Sequence, residues 1–217
     1  MMMAERFSGM DSPVMGALNK FVNLVILNLC FLVSCIPLVT AGAALTALYS
    51  VNLKMVKGEE GYVFRGYWKE FVQNFRQGTV CWMAMAGAGT VFILDIKAVR
   101  VFHGGLKGLF LTSTFAIGII ILVVFLYVFP YMARFRDSLW VCMKNSLIIG
   151  GSRIGHTTAL FLITAAAAAV TVCSPRMTAK MLFFWLTAGF ALLSYVKSYF
   201  FRNVFAEFEN MNAKKYK

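Results

Sequence analysis

Long apolar runs separated by short polar ones dominate this chain. The first run covers residues 21–36, and Pro37 follows it. Proline lacks a backbone N–H and disfavours helix at the residue before it. The first helix is therefore expected to end or kink at Pro37. Thr40 and Gly42 favour an end: Thr40 suits the cap of a new helix, and Gly42 loosens the backbone. A short second helix is expected over 43–57, with Ala43, Ala44, Ala47 and Ser50 as small residues for close packing. Lys54, near its end, has the reach to snorkel to the interface. Gly58 and Gly61 bound the next turn, so both join Pro37, Gly42 and Pro130 as expected hinges. Over 62–76, Phe64, Tyr67, Trp68, Phe71 and Phe75 recur at three- and four-residue steps. Arg65, Lys69, Glu70, Gln73 and Arg76 fill the other side. This pattern predicts an amphipathic helix lying in the cytoplasmic membrane interface. The same aromatic face also suits packing on the protein's own helices.

Four more apolar spans follow, over 77–94, 108–129, 156–173 and 180–201. Pro130 is expected to stop the second of these. The loop before it carries Asp95, Lys97, Arg100, His103 and Lys107. The loop after it carries Arg134, Arg136, Lys144 and Arg153. Within that loop, Asp137 or Ser138 is expected to cap a short helix bearing Leu139, Met143 and Leu147 on one side. Ser174-Pro175-Arg176 reads as a tight turn, and 202–217 as a polar tail. Phe64-Arg65 precedes Asn74 at the same offset as Phe135-Arg136 precedes Asn145, a weak sign of two related halves.

Composition sharpens the class. The chain has 217 residues, 60% hydrophobic and 14% charged. A soluble domain of this size does not bury so much apolar surface. The expectation is an all-α polytopic transmembrane bundle: five long spans, one short helix after Pro37 and the interfacial helix. Residues 1–217 then form a single membrane domain, with the lipid bilayer as first partner. The polar lead before residue 21 favours an uncleaved first helix over a cleaved signal peptide.

The net charge of +12 points to membrane loops rather than nucleic acid, because no basic stripe lies on a soluble face. A hairpin at Pro37 makes six crossings and places most of the 21 Lys and Arg on one side with both termini. The positive-inside rule makes that side the cytoplasm.

Candidate chemistry is sparse. None of the nine acidic residues falls mid-span, which argues against an ion-driven pump. Asn23, Asn28, Ser34, Thr90 and Thr164 suit either a passive pathway or hydrogen bonds between helices. The five cysteines form no CxxC pair and read as small buried hydrophobes. Gly104-Gly105-Leu106-Lys107-Gly108 lacks the ending of a phosphate loop. His103 and His156 lack partners at motif spacing. No catalytic residue, cofactor or metal site is expected, and no enzyme.

The stretch 37–77 has a more specific signature. It reads Pro37-Leu38-Val39-Thr40-x-Gly42, Ala47-Leu48-Tyr49, Leu53-Lys54 and Val56-Lys57-Gly58-Glu59-Glu60-Gly61. It continues through Phe64-Arg65, Phe71 and Asn74-Phe75-x-Gln77. Phe129-Pro130, Arg134-Phe135 and Lys144-Asn145-Ser146 follow in the second half. The chain thereby resembles the YesL-like family of bacterial membrane proteins of unknown function. The resemblance implies a companion of carbohydrate uptake, since such proteins are often encoded beside binding-protein-dependent sugar transporters. An accessory or regulatory component, acting with such a transporter or its sensor, is the first expectation. A sugar or oligosaccharide permease component is the alternative. The expected contacts with a partner or with lipid are Phe64, Arg65, Tyr67, Trp68, Lys69, Phe71 and Phe75.

Overall fold

The computed structural model describes residues 13–59, 61–99, 105–172 and 175–215. All regular structure among them is helical. The elements are α1 (Pro13–Cys35), a 3-10 turn (Leu38–Thr40), α2 (Ala41–Lys57), α3 (Val63–Val99), α4 (Gly105–Arg134), α5 (Leu139–Ser152), α6 (Ile154–Val172), α7 (Pro175–Phe184), a π turn (Trp185–Gly189) and α8 (Phe190–Lys215). Among the described residues, six segments are long and apolar enough to cross a membrane: Met15–Ser34, Leu38–Lys57, Val63–Val99, Lys107–Arg134, Ile154–Thr171 and Lys180–Glu209.

The segment around α2 is the most enclosed of the six, with 83% of its apolar window buried. It packs on α1, α3, α4 and α8. Its two sides feed two cores. Ala44, Ala47, Leu48, Val51 and Met55 join α1 residues and the first turns of α3. Tyr49 and Leu53 join Cys81, Tyr127, Tyr131, Phe201 and Phe205 from α3, α4 and α8. Small side chains permit this. A Cβ on Gly42 would stand 2.2 Å from the Gly78 carbonyl oxygen, and one on Gly78 would stand 2.7 Å from the Ala43 Cα. Gly42 is therefore a helical contact residue, not the hinge the sequence suggests.

Pro37 does end α1, and the chain reverses there through the 3-10 turn. Thr40 does not cap α2 with its side chain. Its hydroxyl donates to the carbonyls of Ser34, at 2.6 Å, and Pro37, at 2.8 Å. It thereby seals the turn at the end of α1. Gly58 takes φ +72° and closes α2 in the left-handed conformation. The Glu59 amide then returns to the Lys54 carbonyl at 3.0 Å, the pattern of a glycine-terminated helix. Gly61 has neither a positive φ nor a close neighbour, so the structure assigns it no hinge role.

Three expected boundaries move. Residues 62–76 and 77–94 belong to one helix, α3, of 37 residues. At 1.5 Å per residue it is roughly 55 Å long, well beyond a ~30 Å hydrocarbon core. Nothing breaks it at residue 77, because Gly78 is held by α2 rather than left free. Helix α4 runs through Pro130 to Arg134. Phe129 and Tyr131, on either side of the proline, are buried in the core with Phe201 and Phe205, and this packing carries the helix past its missing bond. The last span, expected over 180–201, lies inside helix that runs from Pro175 through the π turn to Lys215.

Helix α5 is rotated from expectation. Cys142, Ser146, Ile149 and Gly150 face inward. Leu139 and Met143 touch the edge of that core, and Leu147 is exposed. Ser138 sits at the N-cap without a side-chain cap bond, and Asp137 accepts from the Tyr131 hydroxyl instead. Arg100, His103, Cys173 and Ser174 lie outside the described residues.

Candidate functional site

The first turns of α3 divide the expected contact residues by direction. Tyr67 is fully buried and Phe71 nearly so, both against α1 and α2. Trp68 is half-buried against the same core. Phe64 is 60% exposed and Phe75 44% exposed. A ladder of rings joins the two sets. Phe64 meets Trp68 at 6.4 Å, Trp68 meets Phe71 at 5.5 Å, and Phe71 meets Phe75 at 5.6 Å. Tyr67 stacks on Phe71 at 6.2 Å. The helix turns 100° per residue, so a stripe at three- and four-residue steps has an inner and an outer edge. The inner edge packs, and the outer edge stays open. Arg65, Lys69 and Arg76 lie on the open side and are exposed.

Glu70 departs from the polar side on which its sequence position puts it. It faces α2, with its side chain only 8% exposed, and takes the Lys54 ammonium at 2.7 Å. The Lys54 side chain is 48% exposed. The pair ties the end of α2 to α3 across the Gly58 turn. Such a half-open pair contributes little by itself, but removing its cation strands a buried carboxylate.

Beside this pair lies a polar cleft of about 180 Å³. Lys54, Lys57, Arg134 and Arg136 bring four cations to its wall, and Glu59 and Glu70 bring two carboxylates. The rim is braced. Arg136 donates to Gln73 Oε1 at 2.9 Å. Arg134 pairs with Glu209 at 3.0 Å, and Arg153 pairs with Glu207. Gln77 Nε2 donates to the Asp137 carbonyl at 2.5 Å. Asn145 Nδ2 donates to the Tyr131 hydroxyl at 2.7 Å, and that hydroxyl donates to Asp137 Oδ2 at 2.7 Å. Phe135, Phe205 and Phe208 surround the Tyr131 ring. Cys142 sits beneath this network. Burial first, and then the negative Asp137 nearby, push its thiol up to about 12. It stays protonated and is no nucleophile.

Two asparagines within the apolar segments join helix to helix. Asn28 of α1 reaches the π turn, where its Nδ2 donates to the carbonyls of Trp185 at 3.0 Å and Leu186 at 2.9 Å. Its Oδ1 accepts from the Ala191 amide at 3.1 Å. A π turn misaligns the carbonyl ladder and leaves such groups free for a neighbour. Asn52 of α2 donates to the Ala191 carbonyl at 3.2 Å and to the Ser194 hydroxyl. Thr164 and Thr90 bond back to carbonyls of their own helices. Among the described residues, no group of three His, Cys, Asp or Glu converges in a way that could hold a metal ion.

Two features of this end were missed in the sequence. The Lys54–Glu70 pair bridges a turn whose register periodicity does not reveal. Asp137 looks like a helix cap, and only the position of Tyr131 in α4 diverts it.

Residues 24–96, about a third of the chain, match a family described as "Protein of unknown function, DUF624". The match covers the later turns of α1, all of α2 and most of α3, and so includes the aromatic ladder and the Lys54–Glu70 pair. No curated protein and no solved structure matches the chain.

Proposed function

We propose that this protein is a non-enzymatic accessory or regulatory component of the bacterial cell membrane, acting beside a carbohydrate-uptake system. The outer edge of α3 is its contact surface. One observation carries this reading: Phe64, Phe75, Arg65, Lys69 and Arg76 stand exposed on a helix whose opposite side is anchored by Tyr67, Phe71 and the Glu70–Lys54 pair. A rigid helix presenting aromatic rings beside cations suits the headgroup level of a bilayer or an acidic face of a partner. The resemblance to YesL-like proteins supplies the partner class, a binding-protein-dependent sugar transporter or its sensor. Both termini are cytoplasmic in this reading, because the cations of the cleft then obey the positive-inside rule. A reporter enzyme fused after Lys217 is expected to be active in the cytoplasm and silent in its periplasmic form; the reverse pattern overturns the orientation.

The contact surface is tested by the double substitution Arg65→Glu with Lys69→Glu. Both side chains are exposed, so abundance and thermal stability should hold within about 0.5 kcal/mol. Co-purification of the transporter from the native host should fall severalfold. Normal abundance with undiminished co-purification would reject α3 as the contact surface. Uptake of an oligosaccharide by vesicles containing this protein alone would instead favour the permease.

A further inference from the structure

Lys197 falls inside the expected last span, 180–201, and the fold buries it. It lies in α8, inside the apolar segment Lys180–Glu209, and is 6% exposed. Among the described carboxylates, Glu59 lines the separate polar cleft and the other five are engaged elsewhere. Glu70 holds Lys54, Glu207 holds Arg153 and Glu209 holds Arg134. Asp95 accepts from Thr114, and Asp137 accepts from Tyr131. Among the described residues, no ion-pair or hydrogen-bond partner for Lys197 is present. An ammonium inside an apolar segment is costly, and such a group marks a ligand path or site unless an anion meets it.

The same lysine lines a cavity of about 350 Å³ between α2, α4, α6 and α8. Leu45, Phe125, Leu126, Phe161 and Leu193 make most of its wall. Its polar exceptions are Tyr49, Thr164, Ser194 and Lys197. The Thr164 and Ser194 hydroxyls are committed to the carbonyls of Leu160 and Ala191. The Lys197 ammonium is therefore the one cation the cavity offers a ligand. A pocket with apolar walls and a single convergent charge selects an amphiphile of opposite sign. Its volume lies near the lower end for ligand pockets, which suits one hydrocarbon chain and not the two chains of a phospholipid.

We propose that this cavity binds a single-chain carboxylate amphiphile, a fatty acid, with its carboxylate on the Lys197 ammonium and its chain along the wall shared by α2, α4 and α6. Charge and shape both enter the recognition. The carboxylate supplies the anion that Lys197 lacks, and the chain covers Leu45, Phe125 and Phe161.

The test uses the full chain purified in a non-ionic detergent, with radiolabelled oleate measured by scintillation proximity. Oleate should bind at least tenfold more tightly than oleyl alcohol, which has the same chain without the charge. Lys197→Met should weaken oleate at least tenfold and leave the alcohol unchanged, while Lys197→Arg should retain oleate. Lys197→Met should also raise the melting temperature of the ligand-free protein, because it removes an unpaired buried charge. Ala168→Phe, which fills the cavity and keeps the lysine, should abolish binding of both compounds. If Lys197→Met does not accumulate, Ala168→Phe alone decides. Equal affinity for oleate and the alcohol, full oleate binding by Lys197→Met, or full binding by Ala168→Phe overturns the proposal. Displacement of oleate by phosphatidylglycerol in nanodiscs, at equal concentration, would reassign the site to a phospholipid.

Discussion

The α2 segment has a mean hydropathy of 1.2 and its apolar window is 83% buried; the α6 segment has a mean hydropathy of 1.6 and its window is 6% buried. The more apolar helix is thus the one on the outside. In water that order would be reversed, because burial follows hydrophobicity. In a bilayer, lipid tails are as apolar as leucine, so hydropathy places a segment in the membrane without ranking the segments within it. Small residues do not separate the two helices either. Helix α6 carries five consecutive alanines, 165–169, and most of them are exposed. Five in a row cover every side of a helix and give no direction. In α2 the small residues recur at helical spacing, and Gly42 meets a glycine on α3. The polar groups complete the difference. Asn52 and Lys54 reach α8 and α3, whereas Thr164 returns to its own helix. Helix α6 is tied near its ends, by Thr157 to Tyr127 and by Thr171 to Trp185.

The comparison breaks most sharply at the α2–α3 crossing. Gly78→Leu drives a side chain into the backbone of α2, where neither helix can yield. The expected cost is about 3 kcal/mol or more, seen as loss of accumulated protein and of cooperative thermal unfolding in detergent. Gly87→Leu is the matched control, since nothing stands within 4 Å of its Cβ position. If Gly78→Leu behaves like Gly87→Leu, α2 is not the packed centre of this protein.

A smaller effect is expected at the ion pair. Lys54→Met should lower stability by about 2 kcal/mol, because Glu70 keeps its burial and loses its cation, although the open side of Lys54 moderates the loss. Adding Glu70→Gln should restore most of it. Equal melting points for all three variants would mean that the pair carries no part of the α2–α3 contact.

The smallest effect belongs to α6. Val170→Ala removes two methyl groups from an exposed position and should change stability by less than about 0.5 kcal/mol. A larger loss would show that a partner or a second copy covers that side, and would close the gap between the two helices.

Most of the helices were legible in the sequence, because a lipid-soluble backbone must satisfy its own hydrogen bonds and long apolar runs then have little choice but helix. The reversal at Pro37 was also legible, since a proline acts locally on the helix before it. So was the closure of α2 at Gly58. The aromatic recurrence from Phe64 to Phe75 showed an amphipathic helix, but not that it continues into the next span. Continuity depends on whether Gly78 is free or clasped, and that is a property of α2's position. Pro130 posed the same problem: locally it is a stop, and only the burial of Phe129 and Tyr131 in the shared core carries the helix past it.

By itself, then, the chain determined its class, its six apolar segments and the stretch bearing rings and cations, because these follow from local backbone chemistry and from how apolar residues partition into a bilayer. The tertiary structure decided which segment lies at the centre, which edge of the aromatic stripe stays open, and that Glu70 and Lys197 face inward. Those outcomes rest on contacts between residues far apart in the chain: Gly42 with Gly78, Asn28 with the π turn, Lys54 with Glu70. Periodicity reports the angle of a residue around its own helix, and no more. Which neighbour waits at that angle is set by the packing of all the helices together.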